Sequence, residues 1–288
     1  MGSTAATTGA VTSADGTTIG FHQFGRGRGV VLLSGGYLAA QHYTELAEAL
    51  ADTFTVYVPD RRGRGLSGPP GEQYCMAREC EDIHALLTGT GAHAVWGHSS
   101  GGLIALQAAL TLPAIQKVAV FEPAVSMYGT FDLSWIPRFE REMDQGRLAA
   151  ALATFTKGVG ASRGTDVMPR WLLVPMLDAY LRMERRRSRP AGEATVESLV
   201  PLQRLDVRLF RETASSEGFA GLHADVLLMD GEKTPPPVRR ALDALQRTLP
   251  DARRVTLRGV GHEAPVNRRG AAERVAAELR AFFGDRPA

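Results

Sequence analysis

Polar and apolar positions alternate along the first part of the chain, and short apolar runs separated by helical patterns follow. Residues 11–23 alternate around Asp15 and Gly16, which predicts an opening β-hairpin with its turn at this pair. The apolar runs that follow predict short buried strands at 29–33, 54–58, 92–96 and 118–121. Segments with a helical pattern lie between them, at 41–51, 76–88 and 100–112. Strands that alternate with helices in this way predict an α/β fold with a mostly parallel, doubly wound sheet.

The alternation of strands and helices stops after the strand that ends near Phe121 and resumes near Ala224. The last predicted elements are a strand at 224–229, a helix at 238–249, a strand at 253–257 and a helix at 271–283. The segment from Pro123 to about Gly218 is largely helical in pattern. We therefore predict a core formed by residues 1–122 and 219–288, with a helical cap formed by residues 123–218.

The most specific local signal is Gly97-His98-Ser99-Ser100-Gly101, between a predicted strand and a predicted helix. A serine at so tight a turn needs small neighbours two residues away on each side, and Gly97 and Gly101 provide them. The helix that begins at Ser100 directs free backbone amides and its positive dipole end at the atom that Ser99 attacks. This pattern predicts a nucleophile elbow with Ser99 as the nucleophile.

Composition and charge argue against several classes of partner, location and site. The chain has 288 residues and a formal net charge of +2, which gives no reason to expect nucleic acid or a membrane surface as a partner. No apolar run approaches the roughly 20 residues of a membrane span, and the first residues lack the apolar segment of a signal peptide, so we expect a cytoplasmic location. The spacing of Cys75 and Cys80 suits neither a disulfide nor a metal site, and we expect no metal or cofactor.

Four landmarks together resemble the α/β-hydrolase fold superfamily, and the resemblance covers nearly the whole chain outside the cap. They are residues 33–37 after the first buried strand, residues 60–67 after the second, the elbow at Ser99, and Gly261-His262 after the last strand. The resemblance is to the branch with a serine nucleophile, which includes esterases and lactonases. Dehalogenases and epoxide hydrolases of this superfamily have aspartate at the elbow, so their chemistry is not expected here.

An alcohol is a weak nucleophile at neutral pH, so Ser99 needs a general base, and the base needs a group that fixes its tautomer. Among the seven histidines of the chain, His98 adjoins the nucleophile, but the elbow turns adjacent side chains in different directions, so we expect His98 to pack beside the site. The resemblance implies that the base is His262, in the glycine-bracketed loop after the last strand.

The acid is the point at which the chain departs from the common pattern. Most relatives have an aspartate in the loop after the next-to-last strand, but this chain has Gly-Glu-Lys-Thr at 231–234. Some relatives place the acid one strand earlier, where this chain has Glu122, a carboxylate that is costly to bury without a partner such as His262. We assign Glu122 as the acid and keep Asp230 and Glu232 as alternatives.

Two backbone amides are expected to form the oxyanion hole. One belongs to Ser100, which follows the nucleophile, and the resemblance implies Gly36 for the other. Ser34 stands where many relatives have a histidine, so the usual bracing of this loop is in doubt. For the substrate pocket, expected to be apolar, the candidate lining residues are Tyr37, His98, Trp135 and Trp171.

These features predict a serine hydrolase that cleaves an ester, lactone or related acyl bond of a small apolar substrate through an acyl-enzyme. Two alternatives stay open. One is lyase, cyclase or perhydrolase chemistry on the same scaffold, and the other is a ligand-binding protein with weak turnover, because the usual aspartate is missing at Thr234. We expect a small-molecule partner; the arginines at 185–189 favour a solvated helix end over a docking site for an acidic carrier protein.

Overall fold

A single twisted sheet organises the protein. The structure, a computed structural model, describes residues 6–126, 132–160, 163–188, 192–213, 218–268 and 271–284. Within these residues, eight strands form one sheet in the order β1-β2-β4-β3-β5-β6-β7-β8. The strands are β1 Thr7–Thr12, β2 Thr18–Phe24, β3 Arg28–Leu33, β4 Phe54–Pro59, β5 Ala94–His98, β6 Lys117–Phe121, β7 Asp225–Gly231 and β8 Arg253–Leu257.

The sheet is parallel except at one edge. Strands β4, β3, β5, β6, β7 and β8 pair in parallel, whereas the β1–β2 hairpin adds to β4 in antiparallel fashion. In the hairpin turn, Gly16 has φ +85, the left-handed conformation that glycine adopts without strain. Because the carboxyl ends of parallel strands share one edge of a sheet, the loops that follow β3, β5, β6, β7 and β8 meet there.

Helices cover both faces of the sheet, and a short 3-10 helix at Ala40–Tyr43 precedes the first of them. The α-helices are α1 Thr44–Leu50, α2 Met76–Thr90, α3 Ser100–Thr111, α4 Ile136–Asp144, α5 Leu148–Val159, α6 Arg163–Val167, α7 Arg170–Arg185, α8 Val196–Thr213, α9 Pro236–Thr248 and α10 Ala272–Gly284. One apolar layer joins the sheet to α2, α3 and α9, and the other joins it to α1 and α10. In β5, Val95 packs in the first layer and its neighbour Trp96 in the second, as the alternation of a strand requires. The predicted doubly wound α/β fold is therefore confirmed.

Helices α4 to α8 lie between β6 and β7 in the chain, and we call them the cap helices. They have an apolar cluster of their own, which includes Ile136, Phe139, Leu152 and Val200. The cluster extends to Tyr37 in the loop after β3, so the cap helices pack over the carboxyl edge of the sheet. The boundaries of the cap at residues 123 and 218 stay a prediction.

Candidate active site

The elbow between β5 and α3 has the backbone that a strand-to-helix turn requires. Ser99 has φ 53 and ψ −120, a strained conformation for a residue with a side chain, which persists only where the surroundings enforce it. A Cβ atom on Gly97 would lie 2.2 Å from the carbonyl oxygen of Gly101, and one on Gly101 would lie 2.5 Å from that of Leu33. Both glycines are therefore required by close backbone approach, as the sequence predicts.

His262 and Glu122 form a hydrogen-bonded pair in the site. His262 lies in the loop after β8, and its Nδ1 is 2.8 Å from Oε2 of Glu122. A carboxylate can only accept a hydrogen bond, so Nδ1 carries the proton and Nε2 is left with a free lone pair. This is the tautomer in which an imidazole can accept a proton from a serine.

Glu122 directly follows β6 and is held by donors from the β7 side. Its side chain is buried, with 1% of the residue exposed, and its backbone has φ 43. Oε1 accepts hydrogen bonds from the backbone amide of Gly231, at 3.2 Å, and from the hydroxyl of Thr234. A buried carboxylate is tolerated when its oxygens are satisfied, and here both are. Thr234, which the sequence marks only as a missing aspartate, therefore contacts Glu122, the predicted acid.

The other two candidate acids have different partners. Asp230 is buried at the end of β7, and its Oδ2 accepts a hydrogen bond from Arg254 of β8 at 2.9 Å. Glu232 is exposed, and its Oε2 accepts from the backbone amide of Gly259 at 2.8 Å. Of the three candidates, Glu122 is the one whose carboxylate contacts His262.

Thr234→Val is expected to lower kcat about tenfold, because Glu122 loses a hydrogen bond that fixes its carboxylate and the valine leaves Oε1 underpaired. Thr234→Ser keeps the hydroxyl and serves as the control, with kcat within about threefold of wild type. Both variants are compared by hydrolysis of an activated ester and by thermal unfolding. Equal kcat in Thr234→Val and Thr234→Ser would contradict a positioning role for this hydroxyl.

The loop after β3, which carries the predicted oxyanion donor Gly36, is fixed by side chains from two other elements. Nη1 of Arg64 donates to the hydroxyl of Ser34 at 3.2 Å and to the carbonyl oxygens of Gly35 at 2.9 Å and Leu38 at 2.8 Å. The hydroxyl of Tyr43 accepts from the amide of Gly35 at 3.1 Å. The bracing that the sequence leaves in doubt at Ser34 is therefore supplied by Arg64 and Tyr43.

A buried ion network links this loop to the cap helices. Asp206 of α8, 4% exposed, accepts hydrogen bonds from Nη1 of Arg61 at 2.7 Å and from Nη2 of Arg64 at 2.9 Å. Arg61 also pairs with Glu79 at 2.9 Å and lies 3.3 Å from the hydroxyl of Ser100. Burial by itself would raise the pKa of Asp206, but the charges of Arg61 and Arg64 outweigh it and hold this pKa below its ordinary value. The carboxylate of Asp206, on a cap helix, thus pairs with two arginines of the core, Arg61 and Arg64.

A cavity of about 470 Å³ lies above the elbow, between the sheet edge and the cap helices. Ser99, Glu122 and His262 line it together with Gly36 and Ser100. Its apolar lining includes Leu152, Phe155, Val159, Leu177, Val207 and Phe210. The size is within the range of small-molecule sites.

Of the four pocket candidates, three line this cavity, and one does not. Tyr37 and Trp135 both make edge-to-face contacts with Phe155, with ring centroids 5.9 and 5.5 Å apart. Burial raises the pKa of Tyr37 to about 12, so its hydroxyl stays protonated. Trp171 was expected in the pocket, but it is 77% exposed and lies outside the lining. The prediction for Trp171 is wrong because its side chain is exposed at the surface of α7.

His98 is buried beside the catalytic candidates. Its Nδ1 is 2.7 Å from the hydroxyl of Tyr43, and its ring lies against that of His262, with centroids 4.5 Å apart. Burial lowers the pKa of His98 well below its ordinary value, so this ring stays neutral. A neutral His98 therefore adds no positive charge beside His262, the predicted base.

Across the described residues, no group of three or more His, Cys, Asp or Glu side chains is arranged to hold a metal ion. In that same part of the chain, no helix is both long enough and apolar enough to cross a bilayer.

Three features together define an α/β-hydrolase site. They are Ser99 at the elbow after β5, the hydrogen-bonded pair of Glu122 and His262 after β6 and β8, and the braced loop after β3. The sequence profile described as the alpha/beta hydrolase fold matches residues 29–268. The chain belongs to this family, and it is a hydrolase enzyme.

Three relatives illustrate the similarity. The chain is 30% identical over 266 residues to a pimeloyl-[acyl-carrier protein] methyl ester esterase of Stenotrophomonas maltophilia, covering 90% of this chain and 93% of that protein. The enzyme of the same name from Xanthomonas axonopodis pv. citri is 28% identical over 274 residues, covering 91% and 98%. An α/β hydrolase structure from Sphaerobacter thermophilus has a TM-score of 0.76 at 30% identity and covers 96% of this chain and 100% of that one.

Proposed function

We propose that this protein is a serine esterase or lactonase that cleaves an acyl bond of a small, largely apolar molecule through an acyl-enzyme. The observation that carries the proposal is the hydrogen bond of 2.8 Å between His262 and the buried Glu122, in the same cavity as Ser99. This pair provides a base of the correct tautomer and a negative charge that stabilises it after protonation. Such an arrangement suits acyl transfer to water.

In the proposed reaction, Oγ of Ser99 attacks the carbonyl carbon while Nε2 of His262 takes the hydroxyl proton. Glu122 stabilises the imidazolium that forms. The backbone amides of Gly36 and Ser100 hydrogen-bond the oxyanion. The bond to the leaving oxygen then breaks, His262 returns its proton to that oxygen, and a water molecule releases the acid from Ser99 by the same steps.

The cavity supports a substrate of moderate size. Its volume of about 470 Å³ and its aliphatic and aromatic lining suit an acyl or alkyl group rather than a charged metabolite. Esters and lactones both present the carbonyl group that Ser99 requires. Thioesters are chemically compatible as well.

An ester carried on an acyl carrier protein is the second candidate, because the names of the two esterase relatives describe such a substrate. The arginine run at 185–189 gives it little support. Arg185 pairs with Glu197 at 2.8 Å and Arg187 with Glu184 at 3.0 Å, so both charges are partly neutralised within the cap helices. Arg189 lies outside the described residues. We therefore keep a small molecule as the proposed substrate.

A fluorophosphonate probe tests whether Ser99 is activated. We expect one covalent adduct on the wild-type protein by intact mass and none on Ser99→Ala, because the probe reacts with serines that have a base and an oxyanion hole. Thermal unfolding of both proteins verifies that each is folded. The absence of an adduct on folded wild type would contradict the proposal and favour a ligand-binding protein with little turnover.

Product analysis separates hydrolysis from lyase, cyclase or perhydrolase chemistry. Ester and lactone panels are incubated in ¹⁸O-labelled water, and the acid product is examined by mass spectrometry. Hydrolysis through the acyl-enzyme places one labelled oxygen in the carboxylate. A product without the label would favour the non-hydrolytic alternatives.

A further inference from the structure

The carboxamide of Gln203 is a polar group that the mechanism leaves unused. Gln203 lies on the cap helix α8, is 2% exposed and lines the same cavity as Ser99. Its Oε1 is buried and has no hydrogen-bond partner within the described part of the chain. Most buried polar side-chain atoms are paired, and leaving one unpaired destabilises a protein. The unpaired oxygen therefore needs an explanation.

Packing by itself does not account for this side chain. Two neighbouring lining residues on α8, Val207 and Phe210, are apolar. An apolar side chain of similar length at position 203 would occupy the same space without the cost of burying an unpaired amide. The polar group is explained if a ligand in the cavity completes its hydrogen bonds.

The position of Gln203 indicates which part of a bound ligand its carboxamide would contact. A Cβ atom placed on Gly36 would lie 2.7 Å from Oε1 and 2.9 Å from Nε2 of Gln203, so the carboxamide lies against Gly36. Gly36 is the proposed second donor of the oxyanion hole, which binds the carbonyl oxygen of the substrate. The carboxamide is therefore next to the place where the scissile carbonyl group binds.

The backbone that carries Gln203 is held in place. Asp206 lies three residues further along α8, on the same face of the helix, and its carboxylate binds Arg61 and Arg64 of the core. Arg64 in turn braces the loop that contains Gly36. One network therefore positions both Gln203 and the loop it contacts.

We propose that Gln203 is a specificity residue. Its Oε1 accepts a hydrogen bond from a hydroxyl or amide N–H group that the substrate carries within two carbons of the scissile carbonyl. The proposal rests on the proposed function, and it narrows the substrates to hydroxy- or acylamino-substituted esters and lactones. A substrate without such a group leaves the carboxamide unpaired in the enzyme–substrate complex and is bound more weakly.

Matched methyl esters test the proposal. The set is methyl butanoate, its 2-hydroxy and 3-hydroxy derivatives, and methyl 2-acetamidobutanoate, with acid release followed by titration at constant pH. In wild type, at least one substituted ester is expected to have a kcat/KM about tenfold or more above that of methyl butanoate. In Gln203→Met, which has an apolar side chain of similar length, this ratio is expected to fall to within about twofold.

Val207→Ala is the matched control, because it alters the cavity on the same helix without removing a polar group. It is expected to keep the wild-type ratio between substituted and unsubstituted esters, whatever its effect on the individual rates. The proposal is overturned if wild type shows no preference for any substituted ester, or if Gln203→Met retains the preference.

The fluorophosphonate experiment distinguishes failure of the Gln203 proposal from failure of the proposed function. If Ser99 is labelled and methyl butanoate is hydrolysed as fast as its derivatives, only the role of Gln203 is wrong. If Ser99 is not labelled and none of the esters is hydrolysed, the proposed function and the role of Gln203 fail together.

Discussion

Glu122→Gln is expected to lower kcat by about 10³ to 10⁴-fold, with little change in thermal stability. The carboxamide keeps the shape of the carboxylate, and its oxygen can still accept from Gly231 and Thr234. Its nitrogen would then face Nδ1 of His262 as a donor, so the imidazole proton moves to Nε2. An imidazole protonated at Nε2 cannot take the proton of Ser99. Steady-state hydrolysis of an activated ester measures this effect.

Asp230→Asn is the control for this prediction. Asp230 is a buried carboxylate at the end of the neighbouring strand, but it contacts Arg254, which has a second carboxylate partner in Asp243. We expect kcat to change by less than about threefold, although the free energy of unfolding decreases. A larger kcat loss in Asp230→Asn than in Glu122→Gln would mean that the acid has been assigned to the wrong residue.

Asp206→Asn is expected to lower the free energy of unfolding by about 3 to 5 kcal/mol, because it removes the carboxylate between two buried arginines. Arg61 keeps Glu79 as a partner, whereas the substitution removes the charge that Nη2 of Arg64 contacts at 2.9 Å. Urea unfolding at neutral pH measures the change. The loss of activity is expected to accompany it, because Arg64 also fixes the loop that contains Gly36.

Asp144→Asn is the matched control for the ion network. Asp144 of α4 pairs with Arg204 of α8 at 2.6 Å, but both side chains are largely exposed. We expect its removal to cost less than about 1 kcal/mol, as for other surface ion pairs. Equal destabilisation by Asp206→Asn and Asp144→Asn would contradict the role of the buried network.

The destabilisation by Asp206→Asn is also expected to depend on pH. The pKa of Asp206 is lower in the folded protein than its ordinary value of 3.8, so the ionised group stabilises the fold above pH 3.8. This contribution is lost as the pH falls through the lower folded pKa. The difference in unfolding free energy between wild type and Asp206→Asn should therefore be largest at neutral pH and should decrease in acid.

The sequence by itself determined the fold and the strand-to-helix turn at the predicted nucleophile Ser99, because both depend on short-range patterns. The predicted strands at 29–33 and 54–58 correspond to β3 and β4, and the predicted hairpin to β1 and β2. The elbow is also local, since the two glycines that it needs lie two residues from Ser99. Periodicity and close backbone approach over a few residues leave a direct trace in a sequence.

The tertiary structure decided which distant side chains meet. The acid was open among three carboxylates because Glu122 and His262 are 140 residues apart, and only the parallel pairing of β6, β7 and β8 in one sheet brings them together. The contact between Arg64 and Asp206, which are 142 residues apart, could not be predicted either, because the sequence shows only that two charged residues are present. Trp171 was misplaced since composition does not say which side of a cap helix faces the cavity. Contacts across the fold depend on the relative placement of whole elements, and local patterns do not contain that information.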